Sequence, residues 1–365
     1  MELKERNILI WLSHIEGISN KDIEKLIKYF NPLDELWTAD VRHIKNALGN
    51  RGIIIEKIIK NRNREFFSKV FKNIDKYVIE CLTIYDENYP EKLRNIYDPP
   101  YVIYMKGNKE YLNIPLIAIV GARKCTAYGK WAAYQFSKEL AQWGIGTISG
   151  LALGIDTNSH KGALDGTGNT VGVLGCGLDQ CYPASNERLM STMIENGCVL
   201  SEYPLGMPPL KHHFPARNRI ISALSDGVIV IEASEKSGAL ITVEYALDQG
   251  KDIYALPGNI NSLQSKGTNR LIRDGAKILL DIEDVIESLK YRYSISKKQI
   301  EKSTQEELSP LEKRVYEIIR RNPIHIDLLY NETRLHPWEL NPILTILEIK
   351  GYIIQISGKT FTVPK

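Results

Sequence analysis

Three arginines lie beside short turns of glycine and small polar residues. Arg123 comes two residues after Gly121, directly after an apolar run, and Arg217 and Arg219 flank Asn218 ahead of the run VIVIEA. A guanidinium can hold two phosphate oxygens at once, because its N–H groups form a planar fork. Alternatively, these arginines pair with carboxylates inside the domain. The acidic candidates are Asp156, Glu202, Glu232 and Glu244.

Small polar and aromatic residues accompany these cations. Ser149-Gly150 and Ser237-Gly238 each combine a hydroxyl with a backbone N–H that no side chain covers, which suits phosphate oxygens. Phe214 lies in the basic stretch KHHFPARNR, three residues after Lys211. Most phenylalanines are core residues, but one beside a basic groove can stack on a nucleobase and contribute ~1–3 kcal/mol per base.

Standard nucleotide-binding and catalytic motifs are missing from the sequence. Gly175-Cys176-Gly177 lacks the third glycine of a dinucleotide fingerprint, and the spacing from Gly121 to Gly129-Lys130 is wrong for a P-loop. Neither a GxSxG elbow nor an HExxH zinc motif occurs. We find no set of nucleophile, base and orienting residue, so we predict no catalytic residues and no cofactor.

The histidines do not form a metal-binding pattern. His212 and His213 are adjacent, so their side chains diverge on any regular element, and His160 reaches them only through tertiary contacts. Such spacing favours structural or phosphate-contacting roles over a metal site. We therefore predict no metal ion.

Composition describes an ordinary globular chain with two or three domains. Of 365 residues, 43% are hydrophobic and 25% charged, and the net charge of +3 permits nucleic-acid binding without implying it. No apolar run approaches the ~18 residues of a membrane span, and the first residues show no signal peptide. The odd number of cysteines, with no CxxC pair, argues against a disulfide framework and favours reduced thiols in the cytoplasm. The cysteines are Cys81, Cys125, Cys176, Cys181 and Cys198.

Between Ile114 and Leu280, short β-branched runs alternate with helix-like stretches and end in glycine-rich or small polar turns. This alternation predicts an α/β fold, a Rossmann-like parallel sheet crossed by helices. The carboxyl ends of parallel strands share one edge, where helix N-termini favour anions. Several such turns on one sheet predict a ridge that holds phosphates.

The chain divides by pattern into four segments. Residues 1–80 show amphipathic helical stripes around the turn at 17–20 and predict a small SAM-like or helix-hairpin-helix module. Residues 81–289 hold the predicted sheet domain, and 290–308 have the mixed charge of a linker. Residues 309–365 predict three helices and a hairpin turning at Ser357-Gly358, which is the pattern of a winged helix. The first module either supports the next domain or contacts DNA, and the winged helix either binds DNA or serves as a protein-contact module.

The glycine-rich segments together resemble the DprA/Smf family of DNA-processing proteins. The matching segments are VGARKCTAYG, SGLALGIDTNSHKGAL, LGCGLDQCYPASN, LSEYPLG, LKHHFPARNRIISALSDGVIVIEASEKSGALIT, DIYALPGN and GTNRLIRDGA. They occur in the family's order over most of 116–280. The resemblance implies a non-catalytic protein that binds single-stranded DNA and forms homodimers through its Rossmann-like domain. It also implies loading of the RecA recombinase onto incoming strands during natural transformation.

The resemblance also implies particular DNA contacts. Arg123, Lys211 and Phe214 match family contact positions, as do Ser149 and Gly150. Arg217 and Arg219 belong to the same signature, with their division between phosphate contact and domain packing left open. We add Gly121, Asn218, Ser237 and Gly238 to the expected DNA-binding set.

Glu244 departs from the neutral residue of many relatives, so its position relative to the site matters. The stretch from Ser237 to Glu244 also loosely echoes the PGGxGTxxE turn of lysine decarboxylase-like phosphoribohydrolases, which cleave nucleoside monophosphates. Such an enzyme is the alternative hypothesis.

Overall fold

The computed structural model describes residues 3–295, 308–349, 352–356 and 358–363. The chain divides into two compact units, Met1–Lys298 and Gln299–Lys365. Most of the predicted linker, residues 296–307, lies outside the described residues, and so does Ser357 of the predicted hairpin turn.

The first unit begins with a bundle of short amphipathic helices. The helices are α1 Glu5–Ser13, α2 Asn20–Tyr29, α3 Val41–Leu48, α4 Gly52–Asn61 and α5 Arg64–Lys76, with a 3₁₀ helix at Leu33–Trp37. The predicted turn before α2 is confirmed. Ser19 caps that helix through a capping box, in which its hydroxyl accepts from the Asp22 N–H at 3.2 Å. Apolar residues of each helix, such as Leu12 and Leu26, form one buried core.

A nine-stranded sheet follows. Its strands are β1 Glu80–Thr83, β2 Val102–Gly107, β3 Leu116–Val120, β4 Gly146–Ser149, β5 Thr170–Val173, β6 Cys198–Ser201, β7 Gly227–Val230, β8 Asp252–Ala255 and β9 Lys277–Ile278. The spatial order is β1-β2-β6-β5-β4-β3-β7-β8-β9. Strands β3 to β9 all run parallel, whereas β1 and β2 are antiparallel additions at one side. The predicted α/β class with a mostly parallel sheet is confirmed.

Helices cover both faces of this sheet. They are α6 Glu91–Arg94, α7 Ala127–Gln142, α8 Ile155–Gly166, α9 Glu187–Asn196, α10 His213–Leu224, α11 Ala239–Asp248, α12 Lys266–Arg273 and α13 Glu283–Lys290, with 3₁₀ turns at Lys109–Leu112 and Ala184–Asn186. Side chains of β3 alternate between the faces, as the period of a strand requires. Ala118 packs in the core with Ile220 of α10, and Ile119 packs in the core with Phe136 of α7.

Strand β3 is the point at which the strand order reverses. It pairs with β4, its successor in the chain, on one side and with β7 on the other. The loops after β3 and β7 therefore leave toward opposite faces and open a crevice at the carboxyl edge of the sheet, where ligands of such folds bind.

The second unit is a winged helix, as predicted. Its elements are α14 Pro310–Arg321, β10 Ile324–His325, α15 Ile326–Thr333, α16 Pro337–Ile349, β11 Ile354–Ile356 and β12 Thr360–Thr362. The three strands pair in the order β10-β12-β11. Val315, Leu329, Leu344 and Phe361 belong to the buried core of this unit. Among the described residues of both units, no helix has the length and apolarity needed to cross a bilayer.

Candidate nucleic-acid interface

A groove of about 710 Å³ lies at the carboxyl edge, between the loops that follow β3 and β7. Its walls come from six separate stretches of the chain, which the sheet topology brings together. We call it the carboxyl-edge groove. It is lined by Val120, Gly121, Ala122, Arg123, Lys124, Ala152, Asp156, Tyr182, Pro209, Lys211, Phe214, Pro215, Arg217, Asn218, Ile221, Ser234, Ser237, Gly238, Ala239, Ile241, Thr242 and Gln264.

The loop that carries Arg123 is held by a buried carboxylate. Glu232, just after β7, accepts hydrogen bonds from the backbone N–H of Thr126 at 2.8 Å and from its hydroxyl at 2.5 Å. Thr126 in turn caps α7 by accepting from the Gly129 N–H at 3.0 Å. A Cβ on Gly129 would lie 2.5 Å from the Glu232 carboxylate, so only glycine fits there. The carboxylate that binds the start of α7 is therefore the protein's own Glu232 side chain.

Exposed cations and two aromatic rings line the groove together. The Arg123 guanidinium carbon lies 5.4 Å from the centroid of the Phe214 ring, a cation–π distance. The Tyr182 ring lies 5.4 Å from the Phe214 ring, tilted by 39°. Arg123, Lys124 and Lys211 are exposed, and within the described residues none of the three forms a salt bridge. These charges are free to meet an anionic ligand.

Arg217, by contrast, forms part of the groove floor. Its side chain is 3% exposed, and it donates from Nη1 to the carbonyl oxygens of Gly150, at 2.8 Å, and of Val173. Burial lowers the pKa of Arg217 to about 10, against the opposing charge of Asp156, so it is still a cation at neutral pH. It links the loops that follow β4 and β5.

Asp156 is the buried counter-charge of Arg217. Burial raises the pKa of this carboxyl, whereas Arg217 and two backbone donors oppose the rise. Those donors are the N–H groups of Gly150 and Ala152, at 3.1 and 3.3 Å from Oδ2. A Cβ on Gly150 would lie 2.4 Å from Arg217 Nη2. Gly150 is therefore packed between the Asp156 carboxylate, which accepts from its N–H, and the Arg217 guanidinium, which donates to its carbonyl.

Arg219 points away from the groove. Two residues along an α-helix correspond to about 200° of rotation, so Arg217 and Arg219 lie on opposite sides of α10. Arg219 is 5% exposed and pairs with Glu202 at 2.5 Å and Asp98 at 3.2 Å. It lines a different cavity, of about 630 Å³, together with Tyr97. The internal carboxylate pairing considered for the arginines is what the structure shows for Arg219.

The small polar residues divide in the same way. Ser149 is buried, and its hydroxyl donates to the Ile119 carbonyl at 2.7 Å. Ser237 and Gly238 line the groove at the start of α11, and Asn218 lies beside them, with its Nδ2 3.5 Å from the Gly238 carbonyl oxygen. Gly121 also lines the groove. The structure thus brings eight of the expected residues to the groove surface or floor and leaves Ser149, Gly150 and Arg219 outside its lining.

The histidines are held in separate packing roles. His213 stacks on Tyr203, with ring centroids 3.9 Å apart. His160 is buried and its Nδ1 lies 2.7 Å from the Thr170 hydroxyl; burial lowers its pKa to about 3. His212 is exposed and lines another cavity. Over the described ranges, no cluster of three or more His, Cys, Asp or Glu side chains could hold a metal ion.

Glu244 is exposed on α11 and is not among the residues that line the groove. Its charge therefore does not oppose phosphate binding from within the groove. The phosphoribohydrolase alternative requires the Glu244 carboxylate in the site. Because Glu244 does not line the groove, the geometry does not favour that enzyme.

Sequence reasoning missed two groove residues. Lys124 adjoins Arg123, and a second cation directly after the first was a local signal for it. Tyr182 reaches the groove from the loop after β5, and its only signal was the matching segment LGCGLDQCYPASN. Its contact with Phe214 joins residues 32 positions apart, which no local pattern predicts.

Comparisons with known proteins agree with this architecture. Residues 80–290 match the family model described as DNA recombination-mediator protein A, and 299–359 match the DprA winged helix domain. The chain is 38% identical to DNA processing protein DprA of Streptococcus pneumoniae over 290 residues, covering 79% of this chain and 100% of the relative. It is 31% identical to Protein Smf of Synechocystis sp., covering 97% of each chain.

Two solved structures are also similar. The X-ray structure of DprA from Streptococcus pneumoniae superposes with a TM-score of 0.70 at 36% identity, covering 79% of this chain and 98% of that one. The structure of DNA processing protein A from Helicobacter pylori, reported for its single-stranded DNA binding mode, gives a TM-score of 0.54 at 35% identity. It covers 59% of this chain and 97% of that one.

Proposed function

The chain belongs to the DNA recombination-mediator protein A family, and from this premise we propose that it binds single-stranded DNA in the carboxyl-edge groove without catalysis. One observation carries the proposal. Arg123, Lys124 and Lys211 are exposed, form no salt bridge within the described residues, and line the same groove as the Phe214 ring, at the edge of the sheet where such folds bind ligands.

The phosphates are held by the exposed cations. The guanidinium of Arg123 lies against Phe214, so the ring restricts its motion, and the side chain lines the groove. A fork of this kind can take two oxygens of one phosphate, whereas Lys211 supplies a point charge. The exposed Gly238 adds a backbone donor at the start of α11, beside the Ser237 side chain.

The bases stack on the aromatic rings. Phe214 and Tyr182 present a tilted pair, and each base stacked on such a ring contributes ~1–3 kcal/mol. Stacking and phosphate contacts carry no base code, so binding is largely indifferent to sequence.

The buried members of the expected set build the groove. Arg217 and Asp156 fix the loop after β4, and Ser149 ties the end of that strand to β3. Arg219 anchors α10 through Glu202. We assign these residues, with Gly150, positioning roles.

The finer part of the proposal is loading of the RecA recombinase onto the bound strand, in natural transformation or recombination. It rests on the family resemblance, as does a homodimer through the Rossmann-like domain. Among the described residues β9 is an edge strand of the sheet, and the exposed Ile278 at its end and Leu280 two residues later support such a contact. Leu280→Asp should then halve the molecular mass measured by light scattering. An unchanged mass would show that the subunit contact does not lie at β9. We also place the protein in the cytoplasm, where its five free thiols stay reduced.

A competition titration tests the proposal. A labelled oligothymidylate bound to the full chain is displaced by unlabelled single strands of unrelated sequence or by duplex. We expect single strands of every sequence to compete equally and duplex to compete poorly. The logarithm of affinity should fall with the logarithm of salt concentration, with a slope of about 0.7 per neutralised phosphate. Equal competition by duplex, or affinity that salt leaves unchanged, would contradict the proposal.

A further inference from the structure

Two aromatic side chains stand exposed on the first two turns of α7. Tyr128 and Trp131 are 51% and 56% exposed, and their rings stack with centroids 5.9 Å apart at 24°. Large aromatic residues usually bury most of their surface in a soluble domain. Here the pair forms a small platform of parallel rings that faces solvent.

This platform lies at the rim of the carboxyl-edge groove. Lys124 lines the groove and precedes Tyr128 by only four residues, and α7 begins at Ala127. With a rise of about 1.5 Å per residue, Trp131 is about 6 Å along the axis from the start of the helix. The start of α7 is fixed by the Glu232 carboxylate, so the platform holds a set position relative to Arg123.

An exposed cation lies between the groove and the two rings along the chain. Lys124 lines the groove, and in the part of the chain that the structure describes it forms no salt bridge. Exposed aromatic faces near free cations are the composition of surfaces that bind single-stranded nucleic acid, where bases stack and phosphates follow the charges. A site for an uncharged apolar partner gains nothing from this lysine.

We propose that Tyr128 and Trp131 are a second stacking site, on which a single strand leaving the groove past Lys124 lays one or two further bases. The inference rests on the proposed function, because the strand must first occupy the groove. It predicts a binding site longer than the groove alone.

Oligothymidylates of increasing length, from about 4 to about 16 nucleotides, test this site, since single-strand-binding folds cover that range. Tyr128→Ala/Trp131→Ala should bind the shortest strands as the wild type does and the longest about 10-fold more weakly, equivalent to about 1.4 kcal/mol. Tyr128→Phe/Trp131→Phe keeps the rings and should restore binding. Tyr97→Ala/Tyr291→Ala, which removes two exposed aromatics elsewhere, is the matched control.

The outcomes separate this site from the groove. Arg123→Ala should weaken binding at every length. If it does so while the double alanine variant binds long strands like the wild type, the platform is overturned and the groove stands. If the wild type binds no strand of any length, the proposed function itself fails. If the double alanine variant becomes monomeric in light scattering, the rings form a subunit contact and the platform is again overturned.

Fluorescence gives a second readout. In a Trp338→Phe background, which removes another exposed tryptophan, long oligothymidylates should quench Trp131 emission and the shortest should not. Equal emission with and without long strands, under conditions of saturation, would overturn the proposal.

Discussion

The carboxyl-edge groove and helix α16 of the winged helix are both places where nucleic-acid binding is expected from fold, yet their chemistry differs. The groove is lined by two aromatic rings and by three exposed cations that form no salt bridge with any residue that the structure describes. Helix α16, at the position of the second helix of a helix-turn-helix pair, is PWELNPILTILEI and contains no lysine or arginine. A helix that enters the major groove of DNA needs groups that contact phosphates and base edges.

The cations of the winged helix are placed differently. Arg320 and Arg321 lie in the last turn of α14, where they face the negative end of the helix dipole, and Arg320 also approaches Glu317 at 3.5 Å. On α16, the 70% exposed Trp338 stacks on His336, with ring centroids 4.3 Å apart. A fold class therefore does not decide what a surface binds, because binding depends on the side chains at the site.

The largest effect we expect is a loss of stability when the buried Arg217 of the groove floor is replaced. Arg217→Ala should lower the free energy of unfolding by about 3–5 kcal/mol, because it leaves Asp156 buried without its counter-charge. Urea denaturation measures this. Arg123→Ala removes an exposed arginine and should change stability by less than about 0.5 kcal/mol. Equal stability of the two variants would contradict the assignment of a structural role to Arg217 and a DNA-binding role to Arg123.

The next effect separates the groove from the winged helix directly. Arg123→Ala/Lys211→Ala should weaken single-strand binding at least about 100-fold, because each of the two charged contacts contributes about 1.5 kcal/mol or more. The salt slope should fall by about 1.4, since two phosphates lose their partners. Fluorescence anisotropy titrations report both quantities.

The matched control removes two cations from the other unit. Arg320→Ala/Arg321→Ala should leave the affinity and the salt slope unchanged. A comparable loss in this variant would show that the winged helix shares the strand, and the comparison would fail.

Acid should destabilise the first unit through its buried histidines. Burial lowers the pKa of His160 to about 3, against an ordinary value near 6.5 in the unfolded chain. Between these two values the unfolded state binds more protons, so stability is full above about pH 6.5 and falls as pH is lowered toward about 3. The slope from this residue is at most about 1.4 kcal/mol per pH unit.

Urea denaturation at pH values between about 6.5 and 5 measures that slope. His160→Gln should flatten it without abolishing it, because burial lowers the pKa of His14 and His213 as well. His336→Gln changes an exposed histidine of the winged helix and should leave the slope as it is. An equal slope in wild type and His160→Gln would contradict the assignment.

The smallest effect belongs to α16. Trp338→Ala should change both stability and single-strand affinity by less than about 0.5 kcal/mol, because the side chain is exposed and lies on a helix whose sequence contains no lysine or arginine. The same anisotropy titration measures it. A loss of ten-fold or more would place a strand-binding surface on the winged helix and remove the contrast with the groove.

Much of the fold was predictable from local sequence. Alternating apolar runs and turns predicted the parallel sheet, and Ser19 and Ser309 occur where capping boxes start α2 and α14. The antiparallel pair β1 and β2 was not predicted as part of this sheet, because its pairing with β6 joins residues about a hundred positions apart.

The candidate site was predictable only in outline. The sequence placed cations, a phenylalanine and small residues near one edge, and the structure brings most of them to one groove. The sequence alone could not predict that Glu232 binds the start of α7, because the carboxylate accepts from a residue 106 positions earlier in the chain. For the same reason Tyr182 was overlooked.

The sequence by itself determined which chemistry is available: fork-shaped cations, stackable rings and turns without bulky side chains, arranged in the order of a strand-and-helix repeat. Only the tertiary structure decided which of those groups face a ligand. Arg217 and Arg219 have the same side chain and are two residues apart. The rotation of α10 places Arg217 in the groove floor and Arg219 against Glu202. Composition and local propensity act over a few residues, whereas the surroundings of a side chain depend on distant segments packed around it.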